Sequence, residues 1–211
     1  MALNANAIIT VAESKTQLKI TGSTLDTTLE SWINEASDWV ENYINNKVVE
    51  QSISSEYHDG DDGDRLYTRY FPITQLSTET SPTNAQKLAS LQYRNDPDSS
   101  WVDIETNINH ISVNKQDSFI GLYDEVVPYG WQNIKISYKA GYSSTDIPLE
   151  IKTVCAEIVQ MRYNESKQGN DQLGRGNSSL NQGGGSVSVS YKDMSSRWKE
   201  TLSRYRNFGL H

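Results

Sequence analysis

Two stretches of the chain carry apolar residues at helical spacing, and the residues between them follow a different period. In the first, Leu29, Trp32, Ile33, Ala36, Val40, Tyr43 and Ile44 recur at intervals of three and four. That spacing predicts a helix from about Asp26 to Asn45 with one apolar face. In the second, Pro148 and Glu150 are helix-start signals, and Ile151, Val154, Cys155, Ile158, Val159 and Met161 follow. This predicts a helix over 148–166, the most buried of the chain. Each stripe needs a cover, and each is expected to cover the other. The intervening residues are then an insertion into a helical core.

Two further helices are expected. Thr10-Val11-Ala12-Glu13 is a capping box, in which the threonine hydroxyl and the glutamate satisfy each other's backbone amides. It opens a helix over 11–19, which Thr21-Gly22-Ser23 ends. A last amphipathic helix over 193–206 carries Met194, Trp198, Leu202 and Tyr205 on one side. On helix 26–45, Glu35, Asp38 and Glu41 form an acidic face with no basic residue near in sequence, either solvated or partner-binding.

The insertion reads as short strands: 48–53, 65–70, 100–104, 110–113 and 119–123. The clearest is 133–139, with Ile134, Ile136 and Tyr138 on one face and Lys135, Ser137 and Lys139 on the other. His58 to Asp64 is a turn whose Asp-Gly steps signal a hairpin. The expected class is therefore α+β: mainly a helical bundle, with a small antiparallel β domain inserted. The expected divisions are 1–46 (N-terminal helices), 47–140 (β insertion), 141–166 (core helix), 167–191 (flexible arm) and 192–211 (C-terminal helix). The arm is rich in Gly, Asn, Gln and Ser, too polar to fold alone. It ends in an alternating stretch, Ser186 to Tyr191, suited to an edge strand.

Charge narrows the function. The chain carries a net −8, whereas residues 191–211 hold Lys192, Arg197, Lys199, Arg204 and Arg206 against Asp193 and Glu200. An acidic body with a basic end does not grip nucleic acid throughout, but it suits pairing with copies of itself. No run of about 18 apolar residues is present, so no membrane span is expected. Met1 to Thr10 has no basic region or long apolar core, so no secretory signal is expected either. The protein is expected to be made in the cytosol and to leave it only inside a particle. The single cysteine, Cys155, lies in an apolar stretch and reads as a core thiol.

Catalytic and cofactor motifs are missing. Asp59-Gly60-Asp61-Asp62-Gly63-Asp64 resembles a calcium loop, with Asp59, Asp61 and Asp64 as weak metal candidates. The twelfth position is Tyr70 instead of the glutamate a helix-loop-helix calcium site needs, and strands flank the loop. His58, His110 and His211 have no metal-ligand spacing, and no nucleophile elbow or phosphate loop exists. No catalytic residue and no cofactor are expected. Three alternatives stay open: a calcium- or carbohydrate-binding module built on the Asp59–Asp64 loop, a different structural component of such a particle, and a hydrolase. The hydrolase requires a pocket that sets His58 or His110 against a carboxylate.

The order helix, helix, β insertion, helix, arm, helix carries three landmarks. They are Ile9 to Ile20 leading to Ile33-Asn34-Glu35-Ala36 and Val40-Glu41-Asn42-Tyr43; the hairpin before Tyr70-Phe71-Pro72-Ile73; and Ile136 to Tyr142 followed by Ile147 to Lys152. In this order the chain resembles the tailed-phage head-tail connector family of adaptor and head completion proteins, found also in gene transfer agents. The resemblance implies a non-enzymatic virion protein made in the host cytoplasm. It implies a homo-oligomeric ring, usually a dodecamer, between the portal protein and a stopper or tail protein, through which DNA passes without sequence-specific binding. Within that role, Arg197, Trp198, Leu202, Arg204, Tyr205 and Arg206 of the last helix are expected to dock on a partner. Val187, Val189 and Tyr191 of the arm are expected to add a strand to a neighbour. The large β insertion departs from shorter members of that family.

Overall fold

Helix α1 (Val11–Leu18) starts at the expected capping box: Glu13 N donates to Thr10 Oγ1 over 3.1 Å, and Thr10 N donates to Glu13 Oε2 over 2.7 Å. The computed structural model describes residues 2–75, 90–104, 111–114, 118–123, 125–167, 178–182, 185–189 and 191–207. They fall into two compact units, Met1–Asn45 with Ile147–Arg206, and Asn46–Asp146 with Asn207–His211.

In the first unit, α2 (Asp26–Ile44) buries Leu29, Ile33, Ala36, Val40 and Ile44, as the periodicity predicts. Two polar residues share that face, and both are satisfied. Ser37 Oγ donates to Ile33 O and accepts from Ile8 N, at 2.8 and 3.0 Å. Asn34 accepts from Asn4 N at 2.9 Å and donates to Ala2 O at 3.1 Å. These bonds pin the N-terminal segment along α2 at no cost of an orphaned polar group. Helix α3 (Leu149–Lys167) supplies Ile151, Val154, Cys155, Ile158 and Val159 to the same core. Cys155 Sγ lies 3.8 Å from Ser37 Oγ, so the two stripes meet as expected. Burial pushes the Cys155 thiol up to about 12, which keeps it protonated. Helix α4 (Tyr191–Leu202) continues as a 3-10 turn, Ser203–Tyr205. It closes the core with Trp198, which stands edge-on to Trp39 at 6.1 Å, and with fully buried Leu202. The acidic face of α2 is exposed at Glu35 and Asp38, but both carboxylates have partners within the chain. Arg162 pairs with Glu35, and Asn6 Nδ2 donates to Asp38 over 2.9 Å. Those partners are distant in sequence, which is why the face looks unpaired there.

The second unit is built on β1 (Gln51–Gly60), β2 (Arg65–Tyr67), β3 (Ile73–Gln75), β4 (Ser90–Tyr93), β5 (Val102–Asp103), β6 (Ile111–Asn114), β7 (Phe119–Leu122) and β8 (Gly130–Ala140). One antiparallel sheet has the order β1-β8-β4-β5, with β3 also pairing with β8; a second has the order β2-β7-β6. Ile134, Ile136, Tyr138 and Ala140 of β8 point inward to Leu66, Ile73, Leu91, Ile120 and Leu122. Strands β9 (Ser178–Gln182) and β10 (Gly185–Val189) form an antiparallel hairpin.

Three expectations change. The described residues hold four α-helices beside antiparallel sheets, a mixed α+β fold and not mainly a helical bundle. Strands of three and four residues leave little periodicity, which hid how much of the chain is sheet. The turn before β2 is not a hairpin, because β1 pairs with β8 and β2 with β7. Asp-Gly chemistry specifies a bend in the backbone but not the partner of each strand. Finally, β9 runs through the stretch read as a flexible arm.

Ile33 lies at the centre of the first core, fully buried. Ile33→Ala is expected to cost about 2–5 kcal/mol, read as a lowered urea midpoint by far-UV circular dichroism. An unchanged midpoint would remove α2 from the core.

Candidate partner-binding surfaces

A bulge in β1 creates the first notable site. The register with β8 shifts between Ile53 and Glu56, and Ser55 takes a left-handed φ of 64°. The bulge aims Glu56 inward. Its Oε1 accepts from Arg69 N at 2.9 Å and lies 2.6 Å from His58 Nε2. Its Oε2 accepts from Tyr138 Oη at 2.7 Å, and that hydroxyl accepts from Tyr70 N at 3.1 Å. Burial raises the Glu56 carboxyl, but the bonds from His58, the Arg69 amide and Tyr138 outweigh it, leaving it below the usual range. Burial, then the Glu56 charge, pushes the Tyr138 phenol up. The hydrolase alternative asks for a histidine against a carboxylate in a pocket, and His58 does line a cleft of about 650 Å³ with Glu56. Both Glu56 oxygens, however, are engaged by groups of β8 and of the 69–70 segment. The geometry is that of a clamp joining β1, β8 and the segment after β2.

The Asp59–Asp64 turn sits at the end of β1. Gly60 N donates to Asn133 Oδ1 at 2.9 Å, and Asn133 Nδ2 donates to Pro128 O at 2.8 Å. A Cβ on Gly60 would lie 1.7 Å from Pro128 O, so only glycine allows this approach. The carboxylates cap backbone amides. Asp59 takes Gln132 N at 2.7 Å, Asp61 takes Gly63 N at 2.9 Å, and Asp62 takes Tyr129 N at 2.8 Å. Asp64 lies 3.8 Å from Arg65. Among the described residues no three His, Cys, Asp or Glu side chains gather to hold a metal ion. Asp59, Asp61 and Asp64 thus take separate partners.

The same end of the unit exposes large apolar side chains: Tyr123 is 72%, Tyr129 80% and Trp131 80% exposed. The sequence reading missed them. The cue was Tyr129-Gly130-Trp131, two aromatics around a glycine at the start of the clearest strand.

The last helix divides into two groups. Trp198 and Leu202 are buried inside their own unit, and Trp198 Nε1 donates to Glu157 at 2.6 Å. They hold α4 in place and are not presented to a partner. Tyr205 is half-buried and donates to Glu150 at 3.0 Å. Arg197 pairs with Glu157, and Arg206 lies over the Tyr43 ring at 5.6 Å. Arg197, Lys199, Arg204 and Arg206 are all exposed. Beside them a groove of about 340 Å³ runs between α3 and α4, with Leu149 at its mouth 75% exposed. On the arm, Val187 pairs with Leu180 and Val189 with Ser178. The side chains of Val187, Val189 and Tyr191 lie outside the described residues, as do His110 and His211.

The head completion protein family matches residues 7–208. The chain belongs to that family, whose members are structural components of phage-like virions. No curated protein matches it in sequence. Its fold is similar to a neck protein of the empty gene transfer agent (GTA) particle in C6 symmetry, with a TM-score of 0.62 and 13% identity over 100% of this chain and 95% of that one. A neck protein of the native GTA particle in C12 symmetry gives 0.58 and 14%, over 100% and 94%. A chain of the native GTA virion gives 0.52 and 13%, over 100% and 95%. At these identities the likeness is one of fold.

The Glu56 clamp makes a pH prediction. A carboxyl held below its ordinary value of 4.5 contributes fully above that pH and loses its contribution as the pH falls below it. Glu56→Gln should cost about 1–3 kcal/mol at neutral pH. It should also flatten the loss of stability below the carboxylate range, followed by urea titrations from pH 7 to pH 3. Equal acid sensitivity in both proteins would place the titrating group elsewhere. Asn133→Ala leaves the Gly60 amide unpaired and should cost about 1–3 kcal/mol, read by thermal unfolding.

Proposed function

We propose that this chain forms a ring in the neck of a phage-like particle, joining the portal to a stopper or tail protein, with DNA passing through. The observation that carries the reading is the family match over 7–208, with a fold shared along this chain's whole length with chains of two neck structures. Those necks were computed with C6 and C12 symmetry, which supports a ring here; twelve copies is the number proposed. The role needs no catalytic group, and the Glu56 clamp fits a protein whose task is to stay folded under load.

Charge supports the passage of DNA. Residues 46–146 hold eight Lys and Arg against fifteen Asp and Glu, a net of −7 out of the chain's −8. A surface so charged repels phosphates and does not arrest a moving duplex. Arg197, Arg204 and Arg206 are proposed to carry attachment, with Trp198, Leu202 and Tyr205 holding their helix in position. The β9–β10 hairpin with Val187, Val189 and Tyr191 is proposed to pair with a neighbouring strand.

Electron cryo-microscopy of the parent particle, averaged about the tail vertex with this chain specifically labelled, tests the reading. Label in a ring directly beneath the portal is expected. Label on the capsid faces, at the tail tip, or nowhere in the particle overturns it.

A further inference from the structure

We infer that the turn-and-aromatic end of the β unit is a docking surface for the basic last helix of a second copy of this chain. The need for a second copy rests on the ring proposed above; the two surfaces are read from this chain alone.

The docking end is defined by hydrogen bonds. Leu122 N donates to Asp64 O, Val127 N to Gly63 O and Tyr129 N to Asp62 Oδ1, each at 2.8 Å. They hold Leu122, Val127 and Tyr129 along the Gly60–Asp64 turn. Tyr123, Tyr129 and Trp131 are three of the four most exposed large apolar side chains among the described residues. Large aromatics left exposed along one edge of a turn mark an interaction site. All four aspartates of the adjoining turn are exposed as well. Tyr129 bonds through its amide to Asp62, and Trp131 lines a cleft with Asp59 and Asp61; such a mix suits a cation, which rings attract by their quadrupole and carboxylates by charge. The chain uses this chemistry internally: the Arg94 guanidinium lies 4.8 Å and the Lys135 ammonium 5.0 Å from the Trp101 ring centre.

The occupant follows from charge. The β unit carries −7, while residues 191–211 carry five basic against two acidic residues, a net of +3. Arg197, Lys199 and Arg204 are exposed at that basic end. Every copy therefore bears one of each surface. A contact between unlike surfaces of identical chains repeats head to tail, and closes as a ring when the rotation allows.

Disulfide trapping between full chains tests the contact. One chain carries Tyr129→Cys and the other Arg204→Cys; Cys155 is buried, with its thiol pushed up to about 12, and stays silent. The mixed dimer should form about tenfold faster than a control pair of Tyr129→Cys with Gln17→Cys, an exposed site on α1. The advantage should vanish in about 1 M salt. It should also vanish when the Tyr129→Cys chain carries Asp61→Asn and Asp62→Asn, which keep the capping oxygens and remove the charge. A mixed dimer no faster than the control, or one indifferent to salt and to the asparagines, overturns the contact. A ring beneath the portal without this cross-link leaves the neck reading standing and removes only the contact. The cross-link with label away from the neck supports the contact and removes the ring's position.

Discussion

Strand β8 is the member on which the β unit depends. It pairs with β1 along one edge and with β3 and β4 along the other, and its inward residues centre the core. A strand with both edges paired and one face buried has little freedom in register, because a slip of one residue would turn Ile134, Ile136 and Tyr138 to the wrong side. Tyr138 adds a polar constraint by tying β8 to Glu56 of β1. Asn133 adds another at the far end, where its amide bridges Gly60 and Pro128. Exposed Trp131, at the start of β8, and Tyr129 just before it are thus held by the strand that orders the sheet.

The helical part was legible because its signals are local. Thr10 and Glu13 cap each other within one turn, and the stripes of α2 and α3 need only count residues. Strand β8 was legible for the same reason, since its alternation runs unbroken from Ile134 to Tyr138. What the sequence hid is non-local. The pairing of Arg162 with Glu35 spans 127 positions, and that of Tyr138 with Glu56 spans 82. The short strands β3 and β4 carry too few residues for a period, and no local rule says that β1 seeks β8 past β2. Trp198 and Leu202 illustrate a different ambiguity. An apolar stripe on a terminal helix looks alike whether it covers a partner or its own core, and here it covers its own core.

Charge is distributed as unevenly in the fold as along the chain. The acidic excess lies almost wholly in the β unit, while the helical unit is close to neutral and holds its carboxylates in pairs: Glu13 with Lys152, Glu35 with Arg162, Glu157 with Arg197. Exposed pairs of this kind contribute little to stability. Their effect here is to leave the basic residues near the C-terminus as the helical unit's distinguishing surface.

The helical unit is assembled from both ends of the chain, with α2 and α3 separated by the whole β unit. Each must wait for the other, because the stripe of α2 has no cover until α3 has been synthesised. On the ribosome the β unit can therefore finish folding while α2 stays exposed, and closure of so long a loop slows the joining of contacts distant in sequence. The last event is the arrival of α4, which seats Trp198 against Trp39 and brings the basic surface into place. A nascent or prematurely ended chain lacks Trp198 and Leu202, so the helical core of an incomplete copy stays open on that side.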